Sequence, residues 1–372
     1  MIAPALGGAC RDRSEGHHLQ PDTGAAADDN RPLLEVHRLT KDYPVGGGLL
    51  RRGRGLVRAV DDVSFSLARG RTLGLVGESG CGKTTTGRAI LRLLEPTAGT
   101  VLFRTPQEHG WQTHDVLRLP PRALRRLRRH MQMVFQDPHG SLDPRMTVGS
   151  TVAEGMTAHG LYTRAQRRAR VGQLLERVGL DPAAAAKYPH AFSGGQRQRI
   201  GIARALAVEP AFLVCDEAVS ALDVSVGAQI LNLLLDLQRE RHLSYLFIAH
   251  DLAAVAHVSH RVAVMYQGRI VEMADSADLY QHPAHPYTRA LLAAVPKGWP
   301  AAGQETAPLP CPDDPKGALP PERAAAPNLG CRFQPRCPVA VPECTRTEPP
   351  LIQLGGGHLV RCHLATPPET AE

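Results

Sequence analysis

Residues Gly77–Thr84 read Gly-Glu-Ser-Gly-Cys-Gly-Lys-Thr and fit the spacing G-x-x-x-x-G-K-[ST]. Glycines at this spacing let backbone N–H groups converge on phosphate oxygens, and the start of a following helix adds its positive end. Lys83 supplies a point charge for β- and γ-phosphates, and the Thr84 hydroxyl can ligate Mg²⁺. A second group is Phe212-Leu-Val-Cys-Asp216-Glu217, an apolar strand ending in two carboxylates. The first can hold Mg²⁺ and the second can position or deprotonate a water. The third group is Phe192-Ser193-Gly194-Gly195-Gln196 ahead of a helical stretch, Arg197–Val208. Ser193 is a good N-cap, and two glycines at a helix start expose amides to an anion. One chain therefore carries two phosphate-binding helix ends for one nucleotide.

These groups need elements to carry them. The apolar run Thr72–Val76 predicts a strand before the glycine loop, and Thr84–Leu94 predicts a helix that stops at Glu95-Pro96. Leu33–Leu39 and Ala59–Leu67 read as strands of a hairpin, with a Gly/Arg-rich loop, Gly46–Gly55, inserted between them. Met131–Phe135 is a further short strand, and Thr147–Leu180 is mostly helical in pattern. Strands resume at Phe212–Cys215 and Tyr245–Ala249, each beside a helical segment, as a parallel sheet with crossover helices requires. Arg261–Ala274 reads as a hairpin turning at Gln267-Gly268. The expected fold class is α/β, with a helical insertion in a parallel-sheet domain.

At 372 residues, with 43% apolar and 21% charged residues, the composition is that of an ordinary folded protein. Lys+Arg of 43 against Asp+Glu of 36 gives a net charge of +7. Collagen-like, wholly disordered and disulfide-dense classes are excluded. The richest apolar run, Ile230–Leu237, is interrupted by Asn232 and Asp236 and falls far short of the roughly 20 residues of a membrane span. Residues 1–32 mix Ala, Gly, Pro, Asp and His without an apolar stretch and are expected to form a disordered cytosolic tail. Residues 297–330, rich in Pro, Ala and charge, read as a linker between a domain at 33–296 and a small Cys-rich unit at 331–372. The dense stretch Arg122, Arg125, Arg126, Arg128 and Arg129 reads as a solvated helix face, because no aromatic residues are interleaved as in a nucleic-acid patch.

The set of motifs resembles the nucleotide-binding subunit of an ATP-binding cassette transporter, from about Leu33 to Val295. The fold that the resemblance implies is a P-loop NTPase cassette, with a RecA-like parallel core, an antiparallel β subdomain and a helical subdomain at about 137–195. By the same resemblance Gly77, Glu78, Ser79, Gly80, Cys81, Gly82, Lys83, Thr84 and Thr85 bind the nucleotide, and Tyr43 stacks on adenine. Asp216 and Glu217 close the Walker B strand, Gln136 in Val-Phe-Gln-Asp-Pro matches the Q-loop, Asp223 the D-loop and His250 the switch histidine. Mg²⁺ then falls to Thr84, Gln136 and Asp216, and catalysis to Glu217, His250 and Gln136. Ser193, Gly194, Gly195 and Gln196 form the signature, normally with Leu where Phe192 stands. In such proteins two cassettes pair head to tail, and the signature of one closes over the ATP held by the other.

Gly48-Leu-Leu-Arg-Arg, Gly87-Arg-Ala-Ile-Leu-Arg-Leu and Pro283-Ala-His-Pro-Tyr-Thr-Arg-Ala-Leu-Leu are similar to oligopeptide/dipeptide importer ATPases of the F-type half. That resemblance implies a second ATPase subunit (D-type, or a second copy), two membrane permeases, an extracytoplasmic solute-binding protein and a peripheral place on the cytoplasmic face, without nucleic acid. Nickel or glutathione importers, and an accessory ATPase of a carbon–phosphorus lyase type, are the alternatives. Departures are Ala218 where Pro is usual, Gly227 where Gln is common, and His139-Gly140 after Gln136-Asp-Pro. His282 and His285 beside prolines read as structural.

Cys331, Cys337, Cys344 and Cys362 form C-x₅-C-x₆-C-x₁₇-C within a short Gly/Pro-rich unit. A cytosolic chain keeps thiols reduced, so a metal centre is a stronger reading than a disulfide framework. The spacing leaves zinc and an iron–sulfur cluster open. The stretch Gly330-Cys-Arg-Phe-Gln-Pro-Arg-Cys-Pro resembles the C-terminal extension of peptide-importer ATPases, some of which carry a [4Fe–4S] cluster, so the resemblance favours that cluster, with zinc and unligated thiols as the alternatives.

Overall fold

The computed structural model describes residues 31–45, 55–107, 110–137, 140–220, 222–294 and 329–366. Residues 1–30 of the tail expected at 1–32, most of the Gly/Arg-rich insert, His139, most of the linker, and Cys10 and Cys311 lie outside the described residues.

Two sheets share the chain. The larger has eight strands in the order β11-β12-β10-β9-β3-β8-β7-β6. Its five parallel strands are β6 (Met131–Val134), β7 (Phe212–Asp216), β8 (Ser244–Ile248), β3 (Thr72–Val76) and β9 (Arg261–Tyr266). Side chains of a strand alternate between faces, and here both faces are covered. On β7, Leu213 and Cys215 enter one core and Phe212 and Val214 the other; on β8 Tyr245 and Phe247 oppose Leu246 and Ile248 in the same way. Double burial is why these strands read as unbroken apolar runs. Burial pushes the Cys215 thiol up to about 12, with Asp216 adding to the shift, so this side chain packs as a neutral apolar group.

The smaller sheet is antiparallel, in the order β2-β1-β4-β5, and covers one face of the larger. β1 (Leu34–Val45) and β2 (Gly55–Leu67) form the expected hairpin. The hairpin of β4 (Ala98–Gln107) and β5 (Gly110–Asp115) was not legible, because edge strand β5 is largely solvent-facing and shows no apolar alternation. Helices Val148–Ala158, Arg164–Arg177 and Gly194–Leu206 pack over the other face. The sequence reading ran the first two together. The break comes at Gly160 and Tyr162, with φ of +67° and +62°, and Thr163 opens the second helix with a capping box to Gln166.

The arginine stretch is less free than expected. Arg122, Arg125 and Arg126 are exposed, but Arg125 Nη2 donates to Ala158 O (2.8 Å), Arg128 Nη2 to Arg92 O (2.6 Å) and Arg129 Nε to Val208 O (3.2 Å). These side chains tie carbonyls of neighbouring segments together.

Beyond the residues read as a linker, β12 (His358–Val360) pairs antiparallel with β10 (Arg269–Asp275), matching Glu272 with Val360 and Met273 with Leu359, and β11 (Ile352–Gly355) adds the last strand. Residues 352–360 therefore complete an edge of the main sheet that would otherwise leave a row of backbone groups unpaired. His358 Nε2 lies 2.7 Å from the buried carboxylate of Glu272, whose oxygens also accept the N–H groups of Ala284 and His285. Arg332 and Arg269 both pair with Asp61, which is 3% exposed, and Arg269 also reaches Glu348 (2.6 Å).

Candidate active site

At the C-terminal end of β3, in the middle of the sheet, the chain turns into the glycine loop. Gly77 has φ +151° and a Cβ there would lie 2.2 Å from Met265 O. Gly82, with φ +109°, caps the helix Lys83–Ile90, and a Cβ on it would meet Ala59 O at 2.2 Å. Both positions require glycine. Lys83 is buried and its Nζ donates to Gly77 O (2.7 Å) and Glu78 O (2.9 Å), so the ammonium sits folded under the loop. No side chain caps this helix, which leaves its first-turn amides to a ligand.

Asp216 ends the neighbouring β7. Its Oδ1 accepts the Thr84 hydroxyl proton at 2.8 Å, and its Oδ2 is buried without a hydrogen-bond partner. Burial pushes this carboxyl up; the Thr84 hydrogen bond and the charges of Arg88 and Lys83 pull the other way. A buried, unpartnered carboxylate oxygen beside a threonine hydroxyl fits a hard divalent cation such as Mg²⁺.

Glu217 follows in the left-handed region, φ +46°, with its N–H bonded to Ile248 O at 2.8 Å. That conformation is costly for a non-glycine residue and re-aims the carboxylate at the strand end. Gln136 Nε2 donates to Glu217 Oε2 (2.7 Å), and His250 Nδ1 lies 3.6 Å from Glu217 Oε1. Residues 136, 217 and 250, singled out separately in the sequence, thus meet at one carboxylate. The unusual backbone at Glu217 had no sequence signal.

Ser193–Gln196 faces elsewhere. Ser193 is exposed; its Oγ accepts the Gln196 N–H (3.3 Å) and its own N–H donates to Gln196 Oε1 (3.0 Å). A Cβ on Gly195 would stand 2.4 Å from Val226 Cγ1, so this glycine allows the helix start to press on the segment after Asp223. Asp223 O accepts the Gly227 N–H at 2.7 Å, and Val224 beside it is 91% exposed. Among the described residues the close neighbours of Gly194 and Gly195 are Leu222 and Val226, not the glycine loop. Tyr43 is half-exposed on β1 with Lys41 Nζ 5.1 Å from its ring centroid. Ser79 and Gly80 are exposed, Thr85 is half-buried and Cys81 is buried.

His285 is buried and its Nδ1 accepts the Tyr287 N–H at 3.0 Å, capping the helix Pro286–Ala293. Two contacts to the loop come from residues to which the sequence reading gave no role there: the Tyr287 hydroxyl and the Arg336 guanidinium both bind Glu78. The four cysteines of the C-terminal unit are free thiols, with Cys344 and Cys362 buried and Cys331 and Cys337 half-buried. Burial raises the pKa of Cys331, Cys337 and Cys362, and neighbouring thiols raise them further. Among the described residues no three Cys, His, Asp or Glu side chains converge to hold a metal ion, so the structure does not draw the quartet into a ligand set.

A phosphate loop on a central parallel strand, with an antiparallel sheet over one face and helices over the other, defines the class of ATP-binding-cassette ATPases. Comparison with known proteins sharpens this. Residues 60–220 match the ABC transporter family, and residues 271–344 match the oligopeptide/dipeptide transporter C-terminal region. The chain is 48% identical over 339 residues to the "Probable peptide ABC transporter ATP-binding protein" of Sinorhizobium fredii, covering 91% of this chain and 92% of that one. It is 47% identical over 343 residues to the oligopeptide transport ATP-binding protein AppF of Bacillus subtilis, covering 91% and 99%. Among solved structures, a dimeric ATP-binding cassette in a post-hydrolysis state with ADP and Pi matches with a TM-score of 0.56 at 26% identity, over 65% of this chain and 98% of that chain. The chain belongs to the family of ATP-binding proteins of peptide ABC transporters.

Proposed function

We propose that this chain is the F-type ATPase subunit of a peptide importer, converting ATP and water to ADP and phosphate to drive uptake. The observation that carries the catalytic reading is the meeting of Gln136, Glu217 and His250 beside the Thr84–Asp216 pair. Lys83 and the loop amides hold the β- and γ-phosphates. Glu217 orients the attacking water, whose oxygen bonds to the γ-phosphorus as the bond from that phosphorus to the β–γ bridging oxygen breaks; ADP leaves with the bridging oxygen and the water's proton passes to the released phosphate. Thr84, Asp216 and Gln136 would hold Mg²⁺, which would supply charge neutralisation on the phosphates. Ser193, Gly195 and Asp223 act on ATP held by a partner cassette, a reading supported by the exposure of Ser193 and Asp223; Gly195, buried beneath them, lets the helix start press on Val226. The subunit works on the cytoplasmic face of a membrane against two permeases fed by a solute-binding protein; among the described residues no helix is long and apolar enough to cross a bilayer.

The test is Glu217→Gln in the full chain. ATP binding should persist within about two-fold while turnover falls by at least about 100-fold, since the amide keeps the shape but loses the charge that orients water. Near-normal ATPase in this variant would sink the assignment. The same reading takes Cys331, Cys337, Cys344 and Cys362 as the ligands of a [4Fe–4S] cluster on the sequence resemblance alone, because the described residues hold no converged ligand set. Protein prepared without oxygen should then carry iron and broad absorption in the visible blue; neither appearing would refute it.

A further inference from the structure

Glu78 is the second residue of the phosphate loop, and its N–H, its carbonyl oxygen and one carboxylate oxygen are engaged. Its carbonyl oxygen accepts from Lys83 (2.9 Å) within the loop. Its N–H donates to the Tyr287 hydroxyl (3.0 Å), and its Oε2 accepts from Arg336 Nη1 (3.0 Å). Those two partners lie 209 and 258 residues further along the chain.

Both are held firmly. Tyr287 is 1% exposed, with its ring centroid 4.7 Å from that of Tyr266 and 5.5 Å from that of Phe333. Phe333 meets the Tyr266 ring edge-on at 5.4 Å, and its ring lies 5.7 Å from that of His285. The Arg336 guanidinium lies about equally far from the rings of Tyr266 (5.9 Å) and Phe333 (6.0 Å). It sits at the end of a tight turn, Gln334–Arg336, between Cys331 and Cys337. That turn is in turn anchored by the Arg332–Asp61 pair next to it. The loop thus has a wall made of the end of β9, the start of the helix Pro286–Ala293 and the turn at 331–337.

Resting on the reading of Gly77–Thr84 as the ATP phosphate loop, we propose that the C-terminal region is a working part of its own chain's ATP site. Tyr287 and Arg336 are positioning residues: by fixing Glu78 they set where the loop amides point. Their removal frees the loop without touching phosphate, so nucleotide affinity falls before any catalytic group is lost. An ion pair whose side chains are 36% and 41% exposed is worth a few-fold at most, and a hydrogen bond to a backbone N–H somewhat more.

The experiment is calorimetric titration of the full-length chain with MgATP, with hydrogen exchange followed on the peptide spanning the loop. Arg336→Ala and Glu78→Ala should each weaken ATP about three-fold, and the double variant no more than either alone. Arg336→Lys should recover most of the loss. Tyr287→Phe keeps the ring but removes the acceptor; it should weaken ATP about five-fold and speed exchange at Glu78. Unchanged affinity in Arg336→Ala and Tyr287→Phe, even with lowered melting temperature, would make both residues merely structural and overturn the proposal. Additive losses in the double variant would overturn the Glu78–Arg336 route. If wild-type and Lys83→Ala chains bind ATP equally, the phosphate-loop reading itself falls, a failure distinct from the two above.

Discussion

Two regions meet the nucleotide machinery in opposite ways. The signature segment Ser193–Gln196, with the helix start at Val224, keeps its hydrogen bonds to itself and presents Ser193 and Val224 outward. The segment 329–366 is saturated with partners from its own chain: Arg332 with Asp61, His358 with Glu272, Arg336 with Glu78 and β12 with β10. The first has the character of a surface that completes another molecule's site, and the second that of a surface already docked. If the signature acts in trans as proposed, exposure separates Ser193 from the docked residues that support their own fold.

The largest expected effect breaks the comparison if it fails. Lys83→Ala should cost about 100-fold or more in ATP affinity, because it removes a buried, charge-bearing phosphate donor. Ser193→Arg should leave ATP binding by the isolated chain within about two-fold, because the side chain is exposed, and lower its stability only by the lost helix cap, about 1 kcal/mol. Turnover of the assembled transporter should nevertheless collapse. Titration of ATP into each variant, with ATPase measured on the complex, checks the pair. Loss of binding in Ser193→Arg would mean that the signature contributes to its own chain's site.

The docked region should fail differently, through stability. Burial alone would push the Asp61 carboxyl up; the hydrogen bond from Arg269 and the charges of Arg332, Arg269 and Arg58 more than reverse this and hold it below the usual range. Asp61→Asn leaves half-buried arginines facing each other without a counter-charge and should destabilise by about 3 kcal/mol in urea unfolding at pH 7. Because the folded value is depressed, this stabilisation is complete above about pH 4 and is lost as pH falls through the folded value. A loss below about 0.5 kcal/mol would show that the C-terminal segment docks by its strand pairing alone.

How much of this was readable before the structure follows from the kind of signal each part carries. Strands β3, β7 and β8 are buried on both faces, so each is an unbroken apolar run, and the motif residues at their ends come with the strand. Ser193 announced its helix as an N-cap residue ahead of two glycines, and the structure adds the capping box with Gln196. The β4–β5 hairpin left no trace because an exposed edge strand needs no apolar face. The docking of 329–366 was hidden for a different reason: Asp61, Glu272 and Glu78 find their partners 271, 86 and 258 residues away, and complementary charge at such separations has no period to detect. The cysteine spacing drew the eye, while Arg332, Phe333 and Arg336 between the cysteines make the contacts.

The smallest expected effect sharpens the comparison, because it reads the docked region through a single proton. His285 is buried and its pKa is pushed down to about 4, chiefly by burial, with Glu272 opposing. The folded chain therefore holds it neutral with Nδ1 free to accept the Tyr287 N–H, whereas the unfolded chain protonates it near pH 6.5. Stability is complete above pH 6.5 and falls by about 1.4 kcal/mol per pH unit from there towards pH 4, where the loss levels off. Asparagine keeps a cap acceptor but carries no titrating ring. His285→Asn should be less stable than wild type by about 1 kcal/mol at pH 7.5, through lost packing on Phe333, yet show a shallower pH slope, so that the two curves cross at about pH 5.8 and the variant is the more stable below it. Urea unfolding of both chains across this range is the measurement. Parallel curves would move the proton uptake to another group and leave the wall behind the phosphate loop indifferent to pH.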